Sequence, residues 1–158
     1  MKNTLRSRAT RARALALRTS ERGAELVEMA IVLPLLLLVM MGIVDFAFMF
    51  QRFLVLTNAA VEGARVGTLP GYSLDTDVPL RVQDYATGGG VPGTVSTEAV
   101  PTTVPAPGGG TWPAVQVTVS QDYTLDYIGP IAAIFGGSDA RTVTLRARST
   151  MRRQIGGE

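Results

Sequence analysis

Three of the side chains that often carry out catalysis or bind metals, those of His, Cys and Lys, are absent or nearly absent from this sequence. It contains no His and no Cys, and Lys2 is its single lysine. These absences remove thiol and imidazole catalysis, disulfides and the usual zinc sites, and they leave the Ser and Thr residues without a general base. Acidic pairs remain at Asp75 and Asp77 and at Asp122 and Asp126, but turn-like surroundings favour solvated acids over a cation site. We therefore expect no enzyme activity, metal, cofactor or small-molecule substrate.

Glu28 is the most informative polar residue, because it begins a long apolar stretch. An acid at the start of a membrane helix either reaches the lipid headgroups or is kept for a partner. If the chain were cut between Gly23 and Ala24, the new ammonium would lie about 6 Å along the helix axis from the Glu28 carboxylate. The two groups would then be able to pair, within one helix or between neighbouring helices.

The apolar stretch after Glu28 is long enough to cross a membrane. Residues 29–44 carry no charge, and the run extends to residue 50 if Asp45 is tolerated. A helix over residues 29–50 would be about 33 Å long, against roughly 30 Å for the hydrocarbon core of a bilayer. A buried helix of a soluble protein and a cleaved secretory signal are the alternatives. The first does not explain the basic flank, and the second usually has a shorter apolar region.

The basic residues are concentrated before the apolar stretch. Residues 1–23 hold seven of the 15 basic residues and one of the 13 acidic residues. By the positive-inside rule this cluster keeps the N-terminus in the cytoplasm and sends the C-terminus across the membrane. The remainder of the chain is net acidic, so the basic pI is poor evidence for nucleic acid, and we expect no such partner. A solvated or nucleic-acid-binding arm is the alternative interpretation of residues 1–22.

Three residues within the apolar stretch have specific expected roles. Pro34 removes one backbone hydrogen bond, which membrane helices tolerate. Gly42 leaves a small notch where another helix can approach. Asp45 falls near the outer membrane boundary, where a charge costs less than at the centre.

The helical pattern continues beyond the membrane and ends near Gly67 and Pro70. Its second half is amphipathic, and Glu62 and Arg65 are spaced to form a surface pair. The expected apolar stripe consists of Phe53, Leu54, Leu56, Ala60, Val61 and Ala64.

The last 91 residues, 68–158, hold 13 of the 17 Gly and 8 of the 9 Pro, and they indicate short strands among turns. A short helix is predicted over residues 79–86. Residues 91–104 suit edge strands at best, because Pro92 and Pro101 interrupt them. The alternating stretches around residues 115–119 and 143–147 predict an antiparallel pair that covers part of the helix, with an apolar turn or helical turn over residues 128–135 between them.

One segment resembles a known family. Arg22-Gly23-Ala24, Val27-Glu28, Pro34, Gly42, Asp45 and Ala59-Ala60-Val61-Glu62-Gly63-Ala64-Arg65 are similar to the TadE-like domain of minor pilins, or pseudopilins, of tight-adherence (Tad/Flp) pilus systems. The similarity covers about residues 22–67.

The resemblance implies an α+β, type IV pilin-like fold with a long N-terminal helix packed on a small antiparallel β-rich domain. Its segments would be a cytoplasmic leader over 1–23, a helix over 24–67 with the membrane part at about 29–50, and an extracytoplasmic domain over 68–158. It further implies a single-pass protein of the bacterial inner membrane that can enter the pilus.

The same resemblance implies cleavage after Gly23 by a prepilin peptidase and a role for Glu28 in assembly. The expected partners are membrane lipid, the peptidase, other pilins or pseudopilins and the inner-membrane Tad assembly machinery, with a function in adhesion and biofilm formation. The size favours a TadE or TadF type over TadG. The alternative function is an uncleaved single-pass anchor that displays a small binding module.

Overall fold

The computed structural model describes the backbone of residues 2–131 and 141–153, and the side chains of these ranges from Gly23 onward except Ala24. The chain forms an N-terminal unit (Met1–Ile43) and a C-terminal unit (Val44–Glu158). Its elements are α1 (Lys2–Gly67), α2 (Asp77–Gly88), β1 (Ser96–Pro105), β2 (Thr111–Thr124) and β3 (Thr142–Arg152).

Helix α1 begins at Lys2, so it includes the stretch predicted as a leader. The Arg, Ala and Leu residues of that stretch are strong helix formers. The helix continues through Pro34 and ends at Gly67, where the sequence predicted its end. Beyond this end, the Thr68 amide and hydroxyl both donate to the carbonyl of Arg65, at 3.2 and 2.7 Å.

The core of the C-terminal unit lies between helices on one side and a sheet on the other. The last part of α1 supplies Leu56, Ala59, Ala60 and Ala64, and α2 supplies Val78, Val82 and Ala86, all 0% exposed. The sheet supplies mainly Val115, Val117, Val119, Tyr123, Leu145 and Ala147. This two-layer arrangement confirms the predicted α+β, pilin-like fold, in which a long helix packs on a small antiparallel sheet.

The sheet has three antiparallel strands in the order β1-β2-β3. The predicted pairing of the two alternating stretches is confirmed, with Val119 opposite Ala147. Val143, which was expected on the apolar face, is 39% exposed at the start of β3. The predicted edge-strand character of residues 91–104 is confirmed for the part that forms β1, which pairs only with β2 among the described strands.

Helix α2 is two residues longer at each end than the predicted 79–86. It is joined to the strand layer by the Gln83 side chain. The Gln83 amide donates to the Gly93 carbonyl, and its oxygen accepts from the Val95 amide, both at 3.0 Å. These bonds satisfy backbone groups in the turn before β1, which would otherwise lack partners. The predicted apolar turn over residues 128–135 is described only as far as Ile131, where the backbone has turned helical; the rest lies outside the described residues.

The predicted apolar stripe of α1 is only half correct. Leu56, Ala60 and Ala64 are buried as expected, whereas three larger members of the stripe are exposed: Phe53 at 37%, Leu54 at 47% and Val61 at 40%. The core side of the helix instead carries small residues. The predicted stripe was based on large apolar side chains, whereas close packing against α2 and β2 requires small ones.

Gly63 and Gly67 show how closely α1 approaches its neighbours. A Cβ atom built on Gly63 would lie 2.5 Å from Val82 Cγ2, and one on Gly67 would lie 3.0 Å from atoms of Leu74 and Val115. The segment Ala59-Ala60-Val61-Glu62-Gly63-Ala64-Arg65 therefore places its small residues against α2 and β2. Its structural role is to allow this close contact.

We expect Gly63→Ala to destabilise the C-terminal unit by about 1–3 kcal/mol, because overpacking outweighs the roughly 0.5–1 kcal/mol that Ala gains over Gly in a helix. The measurement is urea denaturation in detergent micelles. Val82→Ala in the same chain should relieve the collision, so the double variant should lose less stability than the sum of the two single variants. Gly88→Ala is the control, because a Cβ there meets nothing within 4 Å. Equal effects at Gly63 and Gly88 would contradict the packing argument.

Candidate functional site: the apolar helix and the Asp45 clamp

The apolar part of α1 in the N-terminal unit presents its large side chains outward. Leu26 and Ile31 are each 71% exposed, and Leu35 is 63% exposed. Within the described residues, one helical stretch, Glu25–Gly67, is long and apolar enough to cross a membrane. The core helix of a soluble protein would have its apolar side chains buried, so their exposure disfavours that alternative.

The polar and small residues expected to act during processing and assembly lie along the same helix. Gly23 is exposed, with nothing within 4 Å of a Cβ built on it. Glu28 is exposed, and the salt bridges between described side chains do not include it. Gly42 is half-buried, and Pro34 is exposed within the continuous helix. The Ala24 side chain lies outside the described residues.

Asp45 is a buried acid whose two carboxylate oxygens both accept backbone hydrogen bonds. It is 1% exposed, and its carboxylate accepts hydrogen bonds from three consecutive backbone amides of the segment after β2. The Asp126 amide donates to Oδ1 at 3.2 Å, and the Tyr127 amide donates to Oδ1 at 3.2 Å and to Oδ2 at 3.1 Å. The Ile128 amide donates to Oδ2 at 2.6 Å. We call this arrangement the Asp45 clamp.

The clamp accounts for a charge in a position that would otherwise be unfavourable. A buried carboxylate without partners is costly, but successive N–H groups form a concave anion site that satisfies both of its oxygens. Hydrogen bonds to an ionised acceptor are stronger than those between neutral groups. Asp45 therefore fastens the turn at residues 126–128 to α1 within the C-terminal unit.

Tyr123 and Arg52 complete the surroundings of the clamp. The Tyr123 hydroxyl donates to the Asp45 backbone carbonyl at 3.4 Å, and the Arg52 guanidinium lies 4.7 Å from the centre of the Tyr123 ring. Burial raises the pKa of the Tyr123 phenol above 10.0, and the nearby Asp45 carboxylate acts in the same direction while Arg52 opposes it. A group whose pKa is raised on folding loses its stabilising effect as the pH rises through that value. The phenol therefore favours the folded state below about pH 10 and ceases to do so in more alkaline solution.

Sequence reasoning placed Asp45 near the membrane boundary but did not foresee its partners. The three amides lie more than 80 residues further along the chain, and backbone N–H groups carry no sequence signal. The available signal was a lone acid interrupting an apolar run, which indicates a partnered charge in a membrane segment. That signal identifies the residue without identifying what it binds.

Two acids of the pairs noted in the sequence, Asp77 and Asp122, accept hydrogen bonds from neighbouring groups. Asp77 is the first residue of α2 and not a turn residue, and its carboxylate accepts from the Ser73 amide at 2.7 Å in the turn before the helix. Asp122 accepts from the Thr144 hydroxyl at 2.6 Å across β2 and β3. Within the described residues, no group of three or more potential metal ligands is present.

Glu62 makes the predicted pair with Arg65 at 3.8 Å, but its shorter contact is with Arg81 of α2 at 3.0 Å. The hydrogen bond from Arg81 to Glu62 raises the pKa of the Arg81 guanidinium above its ordinary value. Both pairs lie on the surface, where such contacts stabilise a protein little. Glu62 thus helps align α2 with α1.

An exposed apolar helix followed by a small α+β unit is characteristic of a membrane-anchored protein. Residues 23–65 match the family model described as TadE-like protein, which confirms the resemblance over this segment. This family indicates a protein associated with the Tad pilus, and it is not a family of enzymes. Searches of curated proteins and of solved structures found no match to the chain.

Proposed function

We propose that the protein is a minor pilin, or pseudopilin, that assembles into Tad/Flp-type pili and contributes to adhesion and biofilm formation. The observation that carries the proposal is the TadE-like match over residues 23–65, on a helix whose apolar side chains are exposed. In this proposal a prepilin peptidase cuts between Gly23 and Ala24. The apolar helix is held in the inner membrane with its N-terminal end toward the cytoplasm until assembly replaces lipid with neighbouring helices.

The outward face of α1 in the C-terminal unit supports assembly through helix contacts. Phe46 and Phe50 stack with their ring centres 6.3 Å apart, and Phe53, Leu54 and Val61 follow on the same side of the helix. These side chains are 37–60% exposed, so much of their apolar surface lies outside the core formed with α2 and the sheet. Their exposure is unfavourable in water and is relieved when another apolar helix packs against them.

The proposed assembly step requires no chemistry by the subunit itself. After cleavage, the ammonium of Ala24 and the carboxylate of Glu28 would form an ion pair in a low-dielectric environment. Association is then driven by packing of the helices and by this pair. The partners are other pilins or pseudopilins and the Tad machinery of the inner membrane.

Cleavage is tested by N-terminal sequencing of the membrane-extracted protein, which should begin at Ala24. Gly23→Leu should prevent processing and leave a protein larger by the leader on a gel, because a bulky side chain would fill a small peptidase pocket. The substitution should not disturb the fold, since a Cβ at Gly23 meets nothing within 4 Å. Gly23→Ala is the conservative control and should still be cut. An unprocessed wild-type protein would instead favour a single-pass anchor that displays a binding module.

A further inference from the structure

The two edges of the sheet differ, and backbone hydrogen bonds show which groups face outward on each. At the ends of β3, the Arg153 amide donates to Pro113 and the Arg141 carbonyl accepts from Leu125, both at 2.8 Å. The register between β2 and β3 is continuous over the whole pairing. Because the direction of backbone groups alternates along an antiparallel strand, the odd-numbered residues of β3 bond to β2 and the even-numbered residues face outward.

The outer edge of β1 is poorly suited to pairing with another strand. The Ala106 amide donates to the Gly110 carbonyl, so even-numbered residues of β1 face β2 and odd-numbered residues face outward. Pro101 and Pro105 are therefore at outward positions, where they remove two donors. Proline at such positions is a common protection of an edge strand. Helix α2 also packs beside β1.

The outer edge of β3 has no such protection. Its 11 residues contain no proline, and within residues 2–131 and 141–153 no strand pairs with this edge. The outward backbone groups belong to residues whose side chains are exposed, including Thr144, Arg146, Arg148 and Thr150. An unpaired edge is the surface to which an extended peptide can be added as a further strand.

The charges along β3 restrict what can be added. Arg146, Arg148 and Arg152 lie on the face of the sheet opposite buried Leu145 and Ala147, and β3 contains no acidic residue. The Arg152 guanidinium stacks 3.8 Å from the centre of the Trp112 ring. Antiparallel pairing of β3 with a second copy of itself would bring arginines opposite or diagonal to one another, which is unfavourable.

We propose that the outer edge of β3 binds an extended acidic segment of a partner protein, which adds to the sheet as a fourth strand next to Arg146 and Arg148. Backbone hydrogen bonds supply the affinity, and carboxylates at alternate positions of the segment face the arginines. This interaction does not depend on cleavage at Gly23 or on pilus assembly.

The test uses the full chain in detergent micelles and two labelled peptides of about ten residues, one alternating Thr with Glu and the other alternating Thr with Lys. Fluorescence anisotropy should show at least roughly tenfold tighter binding of the acidic peptide, as cross-strand charge pairs predict. Hydrogen exchange should show new protection at the outward amides of β3, at Thr144, Arg146, Arg148 and Thr150. Equal binding of both peptides, no binding, or protection confined to other strands would overturn the proposal.

Two variants separate edge pairing from simple charge attraction. Thr150→Pro removes an outward donor without removing a backbone hydrogen bond to β2. It also removes the hydroxyl that accepts from the Gln116 side chain at 3.3 Å, so Thr150→Val, which removes this hydroxyl alone, is its control. Thr150→Pro should weaken acidic peptide binding about tenfold or more, and Thr150→Val should not. Thr103→Pro makes the matched change on the outer edge of β1 and should leave binding unchanged. The double variant Arg146→Glu, Arg148→Glu should reverse the preference toward the Lys peptide, a gain that misfolding would not produce. The alternative is that the arginines bind polyanions, which is tested with an oligothymidine and with anionic vesicles. If these probes bind through the arginines, if Thr150→Pro does not weaken that binding, and if the acidic peptide does not protect the edge amides, strand addition is overturned.

Discussion

Replacement of Asp45 by Ala is expected to lower the free energy of unfolding of the C-terminal unit by about 3–5 kcal/mol. The substitution leaves three amides, those of Asp126, Tyr127 and Ile128, without the carboxylate to which they donate. Each partly buried donor left unpaired costs roughly 1–3 kcal/mol, and partial access of water to the turn keeps the total below the full sum. Because small domains are typically stable by about 5–15 kcal/mol, this loss is a large fraction of the whole.

The measurement is urea denaturation of the full chain in detergent micelles, and the fluorescence of Trp112, the single tryptophan, monitors unfolding. Trp112 lies on β2 against Arg152, so it reports on the sheet. Asp45→Asn keeps one acceptor oxygen and should lose less stability than Asp45→Ala. Hydrogen exchange at residues 126–128 should increase in both variants.

Asp122→Ala is the control acid for this prediction. Asp122 is exposed, and its described partner is the Thr144 hydroxyl. Its removal should change stability by about 0.5 kcal/mol or less, as is usual for surface positions. If Asp45→Ala costs no more than Asp122→Ala, the carboxylate does not hold the turn.

The sequence predicted those elements whose signals are local. The alternation of Val115, Val117 and Val119 with polar residues is sufficient to predict a strand with one buried face. The pairing with the stretch around Leu145 and Ala147 followed because that stretch has the same pattern. The end of α1 at Gly67 followed from the glycine and the nearby proline.

The sequence predicted poorly where the decisive contacts come from distant parts of the chain. Phe53 and Val61 fit a helical apolar stripe but are exposed, because the space beside α1 admits only small residues such as Gly63. The position of Pro101 weakened the prediction of β1, yet an outward position leaves the pairing with β2 intact. Sequence spacing alone does not contain either constraint.

The same limit applies to the candidate site. Glu28 and Gly23 are near one another in sequence, so their relation on one helix was predictable, whereas the Asp45 clamp depends on a turn formed after β2. The two acids also differ in environment, since Asp45 is satisfied within its own unit and Glu28 is exposed. Asp45 is therefore expected to act in folding, and Glu28 in contacts between proteins.

Glu28→Ala is expected to leave membrane insertion and cleavage after Gly23 unchanged but to reduce the incorporation of the subunit into pili by roughly 10²–10³-fold. The physical reason is that the new Ala24 ammonium would enter the packed, low-dielectric helix bundle without a carboxylate. Removing one partner of a buried ion pair costs about 3–5 kcal/mol, which corresponds to a large loss in the association constant. The measurement is the amount of the subunit in sheared pili, relative to its amount in the membrane.

Glu25→Ala is the matched control, because it removes an acid that is also exposed, three residues earlier on the same helix. It should be incorporated normally once it has been cut. Glu28→Asp keeps the charge on a shorter side chain and should restore part of the incorporation. N-terminal sequencing of each variant separates a failure of cleavage from a failure of assembly, since a protein that begins at Ala24 has passed the peptidase. Normal amounts of cleaved Glu28→Ala in sheared pili would show that assembly does not need the pair between the Ala24 ammonium and the Glu28 carboxylate, and helix packing would then have to account for assembly.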